Sequence, residues 1–202
     1  MNHIEENKII EDIKYLPKEI KEPQIDESAT VRHSRITGDV IIKEDVHIVN
    51  AVLRADEGTP FYIGKGSNIQ DFCVLHGYAS NKGDGIFTEN LMYVEGEYYS
   101  IYIAKNVSIS HGVLVHGPSY IGDNTFVGFK STIDAAVIGH NVEIGAHSYI
   151  AKVTIPDNIA IVPGAIITKE EDIKKYTTEK TGINKKIVDV NIEMVKAYHK
   201  KP

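Results

Sequence analysis

Three features of the sequence predict an all-β fold, a left-handed parallel β-helix of hexapeptide repeats with a C-terminal α-helix packed alongside. An aliphatic residue returns every six positions, a small or β-branched residue stands four places after it, and Gly, Asn and Asp gather between these marks. From Ile103 the aliphatic series runs Ile109, Val115, Ile121, Val127, Ile133, and after one five-residue step it resumes at Ile138, Ile144 and Ile150. The partner series is Val107, Val113, Ser119, Thr125, Ser131, Val137, then Val142, Ser148 and Thr154. Period six fits neither a 3.6-residue helix nor a long alternating strand. It fits a short strand, a turn and a short strand, each unit aiming one aliphatic side chain at a shared interior. A β-sandwich would need alternation and hairpin turns, and the pattern offers neither.

Three rungs make one coil of a three-sided prism, and about six coils are expected. They are Ile36/Ile42/Ile48, Ile63/Ile69/Leu75, Ile103/Ile109/Val115, Ile121/Val127/Ile133 and Ile138/Ile144/Ile150, with a looser sixth from Pro156. Corners fall at pairs such as Asp123-Asn124 and His140-Asn141, residue types that accept turn geometry. This gives an N-terminal extension over 1–30, a β-helix domain over 31–168 and a helical segment over 169–202. Two excursions interrupt the winding, near 54–62 and 81–102, and the second reads as a surface loop. Ile187, Val190, Asn191, Met194 and Tyr198 follow helical spacing, so a C-terminal helix is expected. Ile9, Ile10, Ile13 and Leu16 suggest a weaker N-terminal one.

Composition excludes several classes of function. Of 202 residues, 22 are Lys or Arg and 28 Asp or Glu, a formal net charge of −6. That balance argues against nucleic acid, whose binders cluster basic residues. No run approaches the roughly 20 apolar residues of a membrane span, and no signal peptide is evident. The single Cys excludes an intramolecular disulfide and suits a reducing, cytoplasmic setting. Cys73 itself falls in an inward small-residue slot and reads as core.

The histidines carry more information. His76 follows Leu75 and His116 follows Val115, so the two hold one slot in consecutive coils, about 4.8 Å apart. Two imidazoles that close can hold one metal ion. His111 stands two places after Ile109, on the second face, and reaches the same point only from a neighbouring subunit around a threefold axis. Three His with an open position is the ligand set of a catalytic zinc. By spacing alone the trio fits either a metal centre or surface histidines. His3, His33, His47, His140, His147 and His199 read as surface or turn residues.

The surroundings of the trio are more specific. Arg54-Ala55-Asp56-Glu57-Gly58, Asn68-Ile69-Gln70-Asp71, Val74-Leu75-His76, Ser110-His111 and Val115-His116-Gly117-Pro118, with Val190-Asn191 further on, resemble the gamma-class carbonic anhydrases. The resemblance implies a homotrimer with Zn²⁺ (or Fe²⁺ or Co²⁺) at each interface, held by His76, His111 and His116. A metal-bound hydroxide would then hydrate carbon dioxide reversibly to bicarbonate. It implies a hydrogen-bonding or proton-relay role for Glu57, a water-positioning role for Gln70, and a place beside substrate for Asn191. An Arg54–Asp71 pair across the subunit boundary is implied too.

Two positions depart from the family pattern. Ala79 stands where better-known members carry a proton-shuttling Glu, and Asp189 stands where they carry a Tyr. Asp84, Glu89 and Asp189 are the candidate replacements for the shuttle. Two alternatives share the repeats: a hexapeptide acyltransferase, and a non-catalytic metal-binding trimeric scaffold.

Overall fold

In the computed structural model, which describes residues 19–82 and 85–200, the chain winds into a left-handed parallel β-helix. The helix expected near Ile9–Leu16 lies outside the described residues. The interior is three stacked aliphatic columns, one per face. Ile42, Ile63, Ile103, Ile121, Ile138 and Ile155 are register partners on the first face. Ile48, Ile69, Ile109, Val127, Ile144 and Ile161 align on the second. Leu53, Leu75, Val115, Ile133, Ile150 and Ile167 align on the third. Nearly all of these are fully buried, so each coil adds three large aliphatic side chains to one continuous core.

Among the described residues the winding has seven three-strand coils, one more than the sequence suggests. Gln24–Ile25, Thr30–Arg32 and Arg35–Gly38 form the additional first coil, so Ile36 closes that coil and Leu53 closes the second. Ile25, Val31 and Ile36 hold the three slots of this coil, and the five-residue steps from Val31 to Ile36 and from Ile48 to Leu53 put it out of phase with a strict six-residue count. The inward small residue also changes where the corner is short. Ile133 to Ile138 and Ile150 to Ile155 are five-residue steps, and there Ala136 and Val153 point inward while Thr154 is exposed.

Corners between the first and second faces need the left-handed backbone region, which costs most residues about 1–2 kcal/mol and Asn less. Asn106, Asn124, Asn141 and Asn158 occupy it. Their amides also bond along the stack: Asn106 Nδ2 donates to Asn124 Oδ1 at 3.3 Å, and Asn141 Nδ2 to Asn158 Oδ1 at 2.7 Å.

The first excursion is confined to 56–60, because Val52–Ala55 and Phe61–Ile63 are strands. The second is more ordered than a surface loop. It contains a short ladder of Asn81–Lys82 with Gly85–Ile86, a 3₁₀ turn at Thr88–Asn90, and a hairpin of Met92–Val94 with Glu97–Tyr99. The hairpin lies on the first face, where Tyr99 meets Tyr62 and Tyr102 edge-on.

The expected C-terminal helix spans Ile183–His199 and packs on the second face. Val188 and Val195 of the helix are buried against that face, and Asn184 Nδ2 donates to the Asn106 carbonyl at 2.8 Å. No helix among the described residues is long and apolar enough to cross a membrane. Cys73 is core as expected, and burial pushes its thiol up to about 11.

Glu143 anchors the approach to this helix. Its side chain accepts hydrogen bonds from Thr181 N at 2.7 Å, Thr181 Oγ1 at 2.8 Å and Gly182 N at 2.6 Å. Burial would raise its pKa, but these bonds outweigh it and hold the carboxyl below its ordinary 4.5. A depressed folded pKa contributes stability above the unfolded value and loses it as pH falls through the folded one. Glu143→Ala is therefore expected to cost about 2 kcal/mol in urea unfolding at pH 7. The gap from wild type should close well below pH 4.5; a gap independent of pH would contradict the anchoring role.

Candidate metal centre

Because Leu75 and Val115 point inward, His76 and His116 after them point outward from the third face. Register stacks Thr37, Arg54, His76, His116, Asp134 and Ala151 in one outward column. The His76 and His116 ring centroids are 5.3 Å apart, close enough for a shared ion. A Cβ on Gly77 or Gly117, the residues after each His, would run into Ser100. Glycine there lets the end of the second excursion pass directly behind the pair.

His116 Nδ1 donates to the Gly117 carbonyl at 3.1 Å, which leaves Nε2 with its lone pair. His76 Nε2 is a buried atom with no hydrogen-bond partner among the described residues. Burial holds the His76 imidazole below its ordinary pKa against the opposing pull of Glu57, so at neutral pH it carries a free lone pair. An orphaned imidazole nitrogen beside a second imidazole is the donor set a divalent cation needs. Glu57 Oε2 lies 3.6 Å from that nitrogen, while Arg54 Nη2 lies 3.4 Å from Glu57 Oε1 and 3.2 Å from Asp56 Oδ2.

The other expected residues gather on the second face. Gln70 Nε2 donates to Asn68 Oδ1 at 3.0 Å, and Asn68 Nδ2 to Ser108 Oγ at 2.9 Å, which fixes the Gln70 amide and turns its Oε1 to accept. His111 sits at the corner between the second and third faces with its side chain 58% exposed, and its Nδ1 meets Asp71 Oδ2 at 3.2 Å. Within one chain, then, Asp71 partners His111, and Arg54 partners Asp56 and Glu57. Asn191 Oδ1 meets His47 Nδ1 at 2.8 Å, and its Nδ2 donates to the Ile187 carbonyl. His47, expected at the surface, is only 3% exposed because the C-terminal helix covers it, a packing that rung spacing does not reveal.

The expected residues thus fall into two halves: Arg54, Glu57, His76 and His116 on the third face, and Gln70, Asp71, His111 and Asn191 on the second or its corner. Among the described residues of one chain, no three His, Cys, Asp or Glu side chains converge to hold a metal ion. Of the shuttle candidates, Glu89 lies in the 3₁₀ turn, whose Asn90 Nδ2 donates to the Ala79 carbonyl at 2.8 Å. Asp189 is paired with Lys185 at 2.7 Å along a 660 Å³ groove at the corner of the first and second faces. Asp84 lies outside the described residues. Two neighbours of the histidines escaped the sequence reading. The Tyr78 ring packs 4.3 Å from that of His116, and Asp134 follows His116 one coil later in the same slot, a signal the repeat did contain.

A chain of this fold and site is a hexapeptide-repeat left-handed β-helix protein, and comparison with known proteins narrows the class. Residues 87–185 match the family described as GlmU-like, C-terminal hexapeptide. A carbonic anhydrase from Methanosarcina thermophila is 33% identical over 186 residues, covering 87% of this chain and 74% of that one. The carboxysome assembly protein CcmM of Nostoc sp. is 39% identical over 156 residues, 76% of this chain but 27% of the relative. The match thus spans about a quarter of the length of such carboxysome proteins. A solved hexapeptide transferase family protein from Anaplasma phagocytophilum shares the fold, with TM-score 0.63 at 23% identity over 87% of this chain and 92% of that one. The chain belongs to the gamma-class carbonic anhydrase family.

Proposed function

We propose that the protein is a metal-dependent carbonic anhydrase, interconverting carbon dioxide and bicarbonate in the cytoplasm at three interfaces of a homotrimer. The observation that carries this reading is the paired His76 and His116, with an orphaned buried nitrogen beside Glu57, on a different face from the exposed His111. Two copies meeting across the corner of the second and third faces would complete the ligand set. The surface there supports such a contact: Phe72, Val74, Leu114, Phe129 and Tyr149 are exposed apolar residues. Phe72 sits at a corner that successive coils turn with left-handed backbone, as Asn50, Lys130 and His147 also do, and this turn presents its ring to solvent.

His76 and His116 of one subunit and His111 of the next would hold Zn²⁺, with Fe²⁺ or Co²⁺ suited to the same nitrogens. When bound, the cation supplies the Lewis acidity that makes water nucleophilic near neutral pH. The protein's residues do the rest. Glu57 Oε2 takes or returns a proton at the site, and Arg54 holds the other oxygen so that the carboxylate keeps its aim. Gln70, its amide fixed through Asn68, presents Oε1 to orient solvent. Asn191 lies on the same face and belongs to the wall beside substrate. Asp71 orients the exported His111 through Nδ1, and the Arg54–Asp71 pair would form only between subunits.

A second reading, a non-catalytic metal-binding trimeric scaffold, is favoured by the identity to carboxysome assembly proteins and by Ala79. Hydration assays on the metal-loaded protein separate the two. Glu57→Gln should retain the metal and lose about 100-fold or more in hydration rate. Equal rates for wild type and variant, or no hydration by a fully loaded wild type, would favour the scaffold.

Complementation tests the shared ligand set. His76→Ala and His111→Ala trimers should each lose metal, since two imidazoles hold zinc far more weakly than three. Co-refolded mixtures of the two should regain part of it, because some interfaces then hold all three His. Mixtures as metal-free as the parents would contradict a site shared between subunits.

Ala79 makes a kinetic prediction. With no exposed carboxylate at that position, proton release should limit turnover, and imidazole buffer should raise kcat while leaving kcat/KM nearly constant. A buffer-independent kcat that collapses in Glu89→Ala or Asp189→Ala would instead assign the proton to one of those groups.

A further inference from the structure

Asp134 continues the outward column of the third face one coil beyond His116 and is its register partner. Its side chain is 19% exposed, and Oδ1 is a buried atom with no hydrogen-bond partner among the described residues. A buried carboxylate oxygen left in this state is costly unless positive charge or an N–H donor lies near it. The nitrogen facing it is His116 Nδ1, at 3.7 Å. That N–H also donates to the Gly117 carbonyl at 3.1 Å, so it sits between a neutral acceptor and an anionic one. The Tyr78 ring packs 4.3 Å from the imidazole and limits solvent around the pair.

We propose that Asp134 is a positioning residue for the metal centre. Its charge reinforces the Nδ1–H tautomer that the Gly117 carbonyl sets, and it favours the imidazole as polarised by a bound ion. This rests on the proposed function, since it assumes that His116 is a ligand. The carboxylate is too far for a short hydrogen bond, so it acts mainly through its field, in a site where little water screens it. When a cation draws electron density from Nε2, the Nδ1–H becomes more positive, and Asp134 stabilises that polarised state more than the free one. Carboxylates behind a metal-binding His are worth about 10–100-fold in affinity in general. Glu57 and Arg54 lie at the His76 end of the column, so Asp134 serves a ligand that neither of them contacts.

The test is Zn²⁺ affinity, measured by competition with a chromophoric chelator on full-length wild type, Asp134→Asn and Asp134→Glu. Oligomer size and unfolding midpoint are recorded for each protein. Asp134→Asn keeps the shape and removes the charge, and should weaken Zn²⁺ binding about 10-fold or more with size and midpoint unchanged. Asp134→Glu restores the charge and should stay within a few-fold of wild type. Affinity of the Asn variant within twofold of wild type would overturn the proposal, as would equal losses in the Asn and Glu variants. If the Asn variant does not fold, Asp134→Ser provides the neutral comparison under the same criteria. A wild-type protein that binds no Zn²⁺ would defeat the proposed function itself, an outcome distinct from tight binding that ignores residue 134.

Discussion

Register between coils is the constraint on which the rest of this molecule depends. Each coil must return its aliphatic residues to the same three columns, because a slip of one position would turn Ile or Val outward and aim polar residues at a dry core. Fixing the inward columns also fixes the outward ones, at one strand spacing per coil. Arg54, His76, His116 and Asp134 are neighbours for that reason alone, although an excursion of chain separates His76 from the coil that carries His116. Long-range chemistry is thus obtained from a local repeat.

The same constraint divides the site. Side chains on one flat face reach their own column and little else, so groups on the second face cannot close around an ion on the third within one prism. The fold concentrates two imidazoles and a carboxylate in one place and exports a third imidazole at a corner. Exposed apolar residues beside that corner supply the means for another copy to meet it. Polar order behind each half matters as well. Asn68 and Ser108 hold Gln70, Asp71 holds His111, and the Gly117 carbonyl sets the His116 tautomer, so little needs to rearrange when the halves meet.

Much of this was legible in the sequence because the repeat converts position into geometry. The slot shared by His76 and His116, the buried slot of Cys73 and the C-terminal helix all followed from counting. Counting fails where a step between rungs is five residues and not six, which puts the first coil out of phase and lets Ala136 and Val153 take the expected inward slots. It also fails where tertiary packing covers an outward position. His47 reads as a surface residue until a helix from the far end of the chain lies over it and Asn191 accepts its hydrogen bond. The partners of Asp71 and Arg54 within the chain, and the order inside the second excursion, depend on contacts that no rung spacing encodes.

The central claim is that one metal ion is held by ligands from two faces of the prism supplied by two copies of the chain. A crystal structure of the protein grown with Zn²⁺ and phased at the zinc edge tests it most directly. Anomalous density is expected between the Nε2 atoms of His76 and His116 of one subunit and the His111 imidazole of its neighbour, at about 2.0–2.1 Å from each nitrogen, three times per trimer. Zinc bound wholly within one subunit, or a trimer whose His76 and His116 carry no anomalous density at saturating zinc, would contradict it.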